Sequence, residues 1–403
     1  MYQIILKGGH LIDPANNRDG KFDIAVSDNK IKLIQESITA SAEKTIDVSG
    51  YIVTPGLIDC HCHIYPKFPP TEDGVYTLNA DAHMFQSGIV TAIDAGTCGW
   101  QDFFRFKEYV IDCSKVRVLA MLNIAAGGMF KLESEQNTEE FNKGVAAEIA
   151  KIYSDVVVAI KTAHYWVRKP FDEKHPPWAS IDAGLETAEM CGKPLMVDFF
   201  PYEEDRTYPD MLRRLRKGDV HTHMYAQQFP ILDKDNNVND FLFEARERGI
   251  LFDLGHGAGS FWFRNAVPAY NGGFGPDMIS SDLYMANVHG TALNLLHIMS
   301  KYLCIGMPLK ETIARATMYP ARNFNHPELG TLSEGSCADI AVLKLHEGKF
   351  SYTDCGNAKM DGDKKLECIL TIRDGEIVYD PSGLSMPLWE EAPEAYWTSP
   401  GVL

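Results

Sequence analysis

Tyr51-Ile-Val-Thr-Pro-Gly-Leu-Ile-Asp-Cys-His-Cys-His63 is the stretch on which the reading of this chain turns. It runs apolar and then ends in two histidines one residue apart, and strand side chains alternate between faces with a period of two. His61 and His63 therefore point the same way, and both imidazoles can reach one divalent metal. A catalytic metal also needs ligands from elsewhere and an open position for water. A His-x-His on a solvated strand can be idle, so the remaining ligands must come from the rest of the chain. By the same alternation Cys60 and Cys62 face away and read as core filler behind the site.

Outward from this stretch, short apolar runs alternate with helical segments, the pattern of βα units whose parallel strands are buried on both faces. The runs cover 57–63, 89–95, 116–124, 156–161, 194–199, 219–224, 250–256 and 278–283. Eight strands close a (β/α)8 TIM barrel, in which active-site residues sit at the C-terminal strand ends. His61, His63, Lys161, His223, His256 and Asp282 all fall at such ends. The last barrel helix is expected over 309–323, with Pro308 near its start and Pro320 near its end. The first fifty residues read as short strands broken at Gly8-Gly9 and Asp28-Asn29, and a similar texture returns at 338–344, 366–373 and 376–379. The expected fold class is therefore α/β: a barrel domain over 55–326 and a small β-sandwich built from both chain ends, 1–54 and 327–403.

Composition excludes several classes. Among 403 residues, 55 are acidic and 38 basic, and the formal charge of −17 repels phosphate backbones and anionic lipid surfaces. No run approaches the roughly 18 apolar residues of a membrane span. The N-terminus lacks the basic and extended apolar regions of a secretory signal. Nine cysteines, an odd number without a Cys-x-x-Cys pair, read as reduced thiols. A cytoplasmic protein acting on a small molecule is expected.

With these residues in view, the chain resembles the amidohydrolase superfamily, in its dihydroorotase-like and deacetylase-type subgroup. The resemblance is carried by Val53-Thr-Pro-Gly-Leu-Ile-Asp-Cys-His-Cys-His63, Ile160-Lys161, Gly218-Asp-Val-His-Thr-His223, Phe252-Asp-Leu-Gly-His-Gly-Ala-Gly-Ser-Phe261, Ile279-Ser-Ser-Asp282 and the late block from Ala314 to Val342. It implies a metal-dependent hydrolase of a small amide, cyclic amide or ester that works by metal-activated hydroxide. Two divalent ions, zinc foremost, would be held by His61, His63, Lys161, Asp198, His223 and Asp282. Family members are often oligomers, and a homo-oligomer is compatible with the resemblance.

Each residue also has a plainer reading. Lys161 ends a β-branched run, where a lysine usually reaches for solvent as an ammonium; the resemblance implies instead a carbamate formed with carbon dioxide, which a buried lysine of lowered pKa favours. Asp282 after two serines could cap a helix; the resemblance makes it the proton shuttle. Asp198 stands where binuclear relatives carry a histidine, which leaves three readings: a carboxylate ligand, replacement by His221 from one layer deeper, or a weak or missing second metal. His221 itself reads more readily as an interior histidine. His256 between two glycines resembles a residue that faces substrate, though a histidine in a tight turn looks the same. Tyr65, His164, Arg168 and His289 are candidate substrate contacts. Tyr65 occupies the arginine position of dihydroorotases proper, which argues against that activity. The rival readings are a mononuclear aminohydrolase and a non-catalytic barrel serving as a binding protein.

Overall fold

The computed structural model describes residues 1–66, 77–130, 132–167, 169–202 and 204–397. The N-terminal end supplies β1 (Tyr2–Asp13), β2 (Arg18–Ser27), β3 (Lys30–Gln35), β4 (Ala42–Asp47) and β5 (Ile52–Pro55). The middle supplies β6 (Leu57–Cys62), β7 (Ile89–Gly99), β8 (Arg117–Asn123), β9 (Val157–Thr162), β10 (Leu195–Val197), β11 (Val220–His221) and β12 (Leu251–Phe252). The C-terminal end adds β13 (Ile340–Thr353), β14 (Lys359–Arg373) and β15 (Glu376–Tyr379).

Strands from both chain ends join one mixed sheet in the order β15-β14-β13-β5-β1-β2-β3, with β4 paired to β1. Its inward residues, Leu6, Leu11, Ile24, Val26, Val53, Ile340 and Leu370 among them, form one apolar cluster. Gly8-Gly9 does not break the first strand as the sequence reading expects: β1 runs through it, and the register shift against β2 falls between Leu6 and Gly9. A bulge at Lys7-Gly8 takes up the extra residue, and Gly9 already pairs with Phe22. The C-terminal hairpin is also longer than expected, because the polar alternation from Lys344 to Lys365 continues the pairing as far as Thr353 and Lys359.

The middle strands form an all-parallel sheet ordered β12-β11-β10-β9-β8-β7-β6. Every residue of β6, β7 and β9 is buried, as strands covered on both faces must be. Helices Lys143–Ile152 and Ala179–Cys191 cover the outer face over β8, β9 and β10. The sheet curls until both edges meet one segment: Asp253 bridges Met278, and Cys62 bridges Leu283, each in parallel. The Asp282 and His63 amides donate to the His61 and Leu283 carbonyls at 2.6 and 2.9 Å.

Inside the curl, Ile58, Ile93, Leu119, Met121, Met196 and Val220 pack with Ala321, Phe324 and Leu329. Early-strand residues thus fill one end, which leaves the C-terminal strand ends for polar groups. The helix expected over 309–323 is two helices, Leu309–Ala314 and Met318–Asn323. The break lets the Ala316 and Arg315 carbonyls accept from Ile58 and Ile279. The last three parallel strands are shorter than their apolar runs. Beyond β11, His223 adopts a left-handed φ of 60°, and Asp282, whose amide still pairs with the His61 carbonyl, one of 47°.

Candidate active site

His61 is the penultimate residue of β6 and His63 lies one residue beyond its end, but strict alternation does not deliver them. The β6–β7 register shifts between Asp59 and Cys62. Cys60 joins the interior cluster and Cys62 the outer one, so the two cysteines lie on opposite sides of the strand, not together behind the site.

One ligand atom from each of His61, His63 and Asp282 falls within a 4.8 Å group. Asp282 Oδ1 lies 3.1 Å from His63 Nε2 and 3.5 Å from His61 Nε2. The far nitrogens are tied down. His61 Nδ1 stands 3.1 Å from Asp253 Oδ2 and 3.0 Å from Thr222 Oγ1, and the Thr222 hydroxyl gives its own proton to Asp253 at 2.7 Å. Nδ1 therefore carries hydrogen and Nε2 presents a lone pair. His63 Nδ1 meets Thr97 Oγ1 at 2.8 Å, while Asp94 accepts from the Thr97, Ile64 and Tyr65 amides. Such outer contacts fix ring orientation and tautomer at metal centres. The donor set and its spacing fit a divalent ion.

A second group sits across the mouth. Asp198, just beyond β10, has Oδ2 3.5 Å from His223 Nε2 and 3.3 Å from His164 Nε2. His223 Nδ1 donates to the Gly255 carbonyl at 2.7 Å, which turns Nε2 toward the site. Burial pulls His223 down, but the adjacent Asp198 carboxylate outweighs it and lifts the imidazole to about 9. Burial pushes Asp198 up, yet His164 and His223 hold it well below the carboxylate range. Asp282 is held low in the same way, burial opposing and His61, His63 and His223 prevailing.

Lys161 lies between the two groups and is fully buried. Among the described residues its Nζ finds only the Met196 thioether, at 3.5 Å. Burial lowers its pKa, against Asp198, Asp282, Asp253 and Glu135. Gly96, at φ 85°, makes room for it: a Cβ there would stand 2.5 Å from Lys161 Cγ. Gly257, at φ 55°, does the same for Asp282, whose Oδ2 would lie 2.4 Å from an added Cβ. Only glycine meets both demands at such positions.

A cavity of about 390 Å³ opens beside these groups, with His63, His164, Asp198, His223 and Asp282 on its polar side and Met129, Leu132, Phe199 and Phe200 on its apolar side. The structure thus brings His61, His63, Lys161, Asp198, His223, Asp282 and His164 together. Other candidates lie elsewhere. His256 is fully buried and outside the cavity lining, its ring stacked on Phe261 and its Nε2 2.8 Å from Lys301 Nζ. Tyr65 packs against Phe106 and Phe130, also outside the lining. His289 lines a separate cleft with His83. Arg168 lies outside the described residues. His221 points into an aromatic nest of Tyr208, Phe229 and Phe252, away from the ligand groups. Sequence reasoning missed Asp253, Thr97 and Glu135. Asp253 sits inside the quoted Phe252–Phe261 block and could have been found there; nothing in the sequence marks Glu135.

Against known proteins, the model of the Amidohydrolase family matches residues 263–378. A deacetylase of Enterococcus faecalis is 28% identical over 94% of this chain and 99% of that protein. The resemblance is to the amidohydrolase family. Two solved structures are similar to this chain over nearly their whole length. An adenine deaminase superposes with a TM-score of 0.83 at 26% identity, covering 94% of this chain and 100% of that one. A dihydroorotase gives 0.77 at 25% identity, covering 94% and 99%. These neighbours give the parallel curled sheet the character of a TIM-barrel-like domain carried beside a second sheet. No helix among the described residues of this chain is long and apolar enough to cross a membrane.

Proposed function

We propose that this chain is a cytoplasmic metal-dependent hydrolase of a small amide, with cyclic amides and esters as the related substrates. The observation that carries the reading is the convergence of His61, His63 and Asp282 beside a cavity, with both Nε2 atoms held toward one point. In this reading segment 278–283 is the eighth barrel strand, and the domains divide as 55–326 against 1–54 with 327–403.

His61, His63 and Asp282 would hold one divalent ion, and Asp198 with His223 a second, with carboxylated Lys161 shared between them; zinc is the ion the nitrogen and oxygen donors favour. Bound there, the metal lowers the pKa of water toward neutrality and polarises the scissile carbonyl. The chain supplies the rest. Asp253, Thr222 and Thr97 fix the imidazoles before substrate arrives. The Asp282 carboxylate, held ionised, accepts the proton of the attacking water and returns it to the departing nitrogen. The aromatic wall at Phe199 and Phe200 keeps bulk water from the carbonyl, and His164 faces the substrate from the rim.

Two measurements test this. Elemental analysis of protein purified without chelators, with carbonate present, should give two ions per chain, falling to one in Asp198→Asn. N-acetyl amino acids or dihydroorotate should yield a carboxylic acid, and adenine should yield no ammonia. Ammonia from adenine with one bound ion would replace the hydrolase reading with the mononuclear aminohydrolase, which the similarity to a solved adenine deaminase makes the second reading.

A further inference from the structure

Lys301, on helix Leu295–Ile305, is wholly buried and has no part in the chemistry above. Its Nζ lies 2.7 Å from the Thr291 carbonyl, 2.8 Å from the Thr353 carbonyl and 2.8 Å from His256 Nε2. An ammonium has three protons and no acceptor, so the three partners use all of them. The count also fixes His256. With Nε2 accepting, Nδ1 carries the hydrogen, and it donates to the Gly257 carbonyl at 3.0 Å.

The three partners come from three separate segments. Thr291 belongs to the segment that follows Asp282, where Asn287 Nδ2 also donates to the Asp282 carbonyl at 2.6 Å. Thr353 ends β13, and the turn beyond it docks on the loop after β12: Cys355 N–H donates to the Phe261 carbonyl, and Asp354 accepts from Phe263 N–H at 3.0 Å. His256 and Gly257 open that same loop, whose Ala258, Gly259 and Ser260 line the cavity. Gly257 is the residue packed against the Asp282 carboxylate. A lone apolar side chain of similar length would fill this space without the cost of burying a charge, but it would leave two carbonyls and an imidazole unpaired.

We propose that Lys301 is a positioning residue that, through His256, holds the Gly257 loop against the Asp282 carboxylate and locks the second sheet's hairpin to the catalytic mouth. The inference rests on Asp282 as the proton-transfer group. Asp282→Asn is therefore measured alongside: full turnover there refutes the site reading, whatever Lys301 does.

The test takes full-length Lys301→Met, loaded with metal as the native protein is. Amide hydrogen exchange should rise in 255–261 and 353–358 and stay native in the first fifty residues. On the panel of N-acetyl amino acids and dihydroorotate, kcat should fall at least tenfold with KM within twofold and metal content unchanged. Lys301→Arg, which keeps a buried cation, should recover part of the loss in kcat. Native exchange in 255–261, or a kcat within twofold of native, overturns the proposal. If Lys301→Met does not fold, His256→Phe decides by the same criteria, since it keeps the ring on Phe261 and removes the acceptor.

Discussion

The two sides of the site are built to different tolerances. On one, His61, His63 and Asp282 gather one ligand atom each into a 4.8 Å group, and both imidazoles are anchored at Nδ1 by groups that are themselves hydrogen-bonded. On the other, Asp198 reaches His223 and His164 at 3.5 and 3.3 Å, and the trio does not close into such a group. The first side is shaped before anything binds. The second is held by attraction between a carboxylate and imidazoles, with His223 raised to about 9 by Asp198. In the proposed reading, Asp198 stands in for a histidine ligand because neighbouring imidazoles keep its carboxylate ionised.

The largest expected effect lies on the tight side. Asp282→Asn keeps the shape and removes the proton acceptor, so turnover should fall by roughly 10²–10⁴, the usual worth of general acid–base catalysis. Most of the metal should remain bound. Steady-state kinetics with metal analysis decides it, and native turnover would break the comparison at its stronger end.

Next comes the residue between the sides. Gly96→Ala puts a methyl where Lys161 Cβ and Cγ stand, at a φ that alanine rarely adopts. Displaced Lys161 should cost the loose side its ion first, giving about one ion per chain by elemental analysis. Unchanged stoichiometry would mean that Lys161 does not serve the loose side. A smaller effect is expected at the rim: His164→Gln removes one of two imidazoles beside Asp198, and KM should rise several-fold with little change in kcat, since the ring lines the cavity and pairs with Asp198. A kcat drop as large as that of Asp282→Asn would instead make His164 part of the chemistry.

How legible this was depends on whether local periodicity reaches far enough. The parallel strands announced themselves through Val, Ile and Ala runs, because a strand covered on both faces has no polar positions to spare. Lys161 and Asp282 could be located because those runs end where polar residues begin. Which way a side chain turns after the ladder ends was not legible. His221 and His223 share a strand parity, yet left-handed backbone at His223 separates them. The resemblance turns His256 toward substrate, and only its distant partner Lys301 shows where it points. Asp253 matters through contacts across the barrel to His61 and Thr222, and Glu135 through Asn123 at the end of β8, which no spacing along the chain encodes.

His221 offers the smallest test and the cleanest contrast with His223. Both of its ring nitrogens lack a hydrogen-bond partner among the described residues, and it is fully buried among aromatic rings. Burial, with the nearby His223, takes its pKa from 6.5 to about 3. The native chain therefore binds fewer protons than the unfolded one between those values. Stability is fully present above pH 6.5 and drains as pH falls toward 3, at up to about 1.4 kcal/mol per pH unit. His221→Phe keeps a ring in the nest and removes the titration. Turnover and metal content should stay native at pH 7, while the variant's advantage in thermal midpoint should widen steadily from pH 6.5 to pH 4.5. A gap that stays constant with pH would show that His221 is paired after all. Lost metal at pH 7 would return it to the ligand set and make the loose side of the site deeper than its geometry indicates.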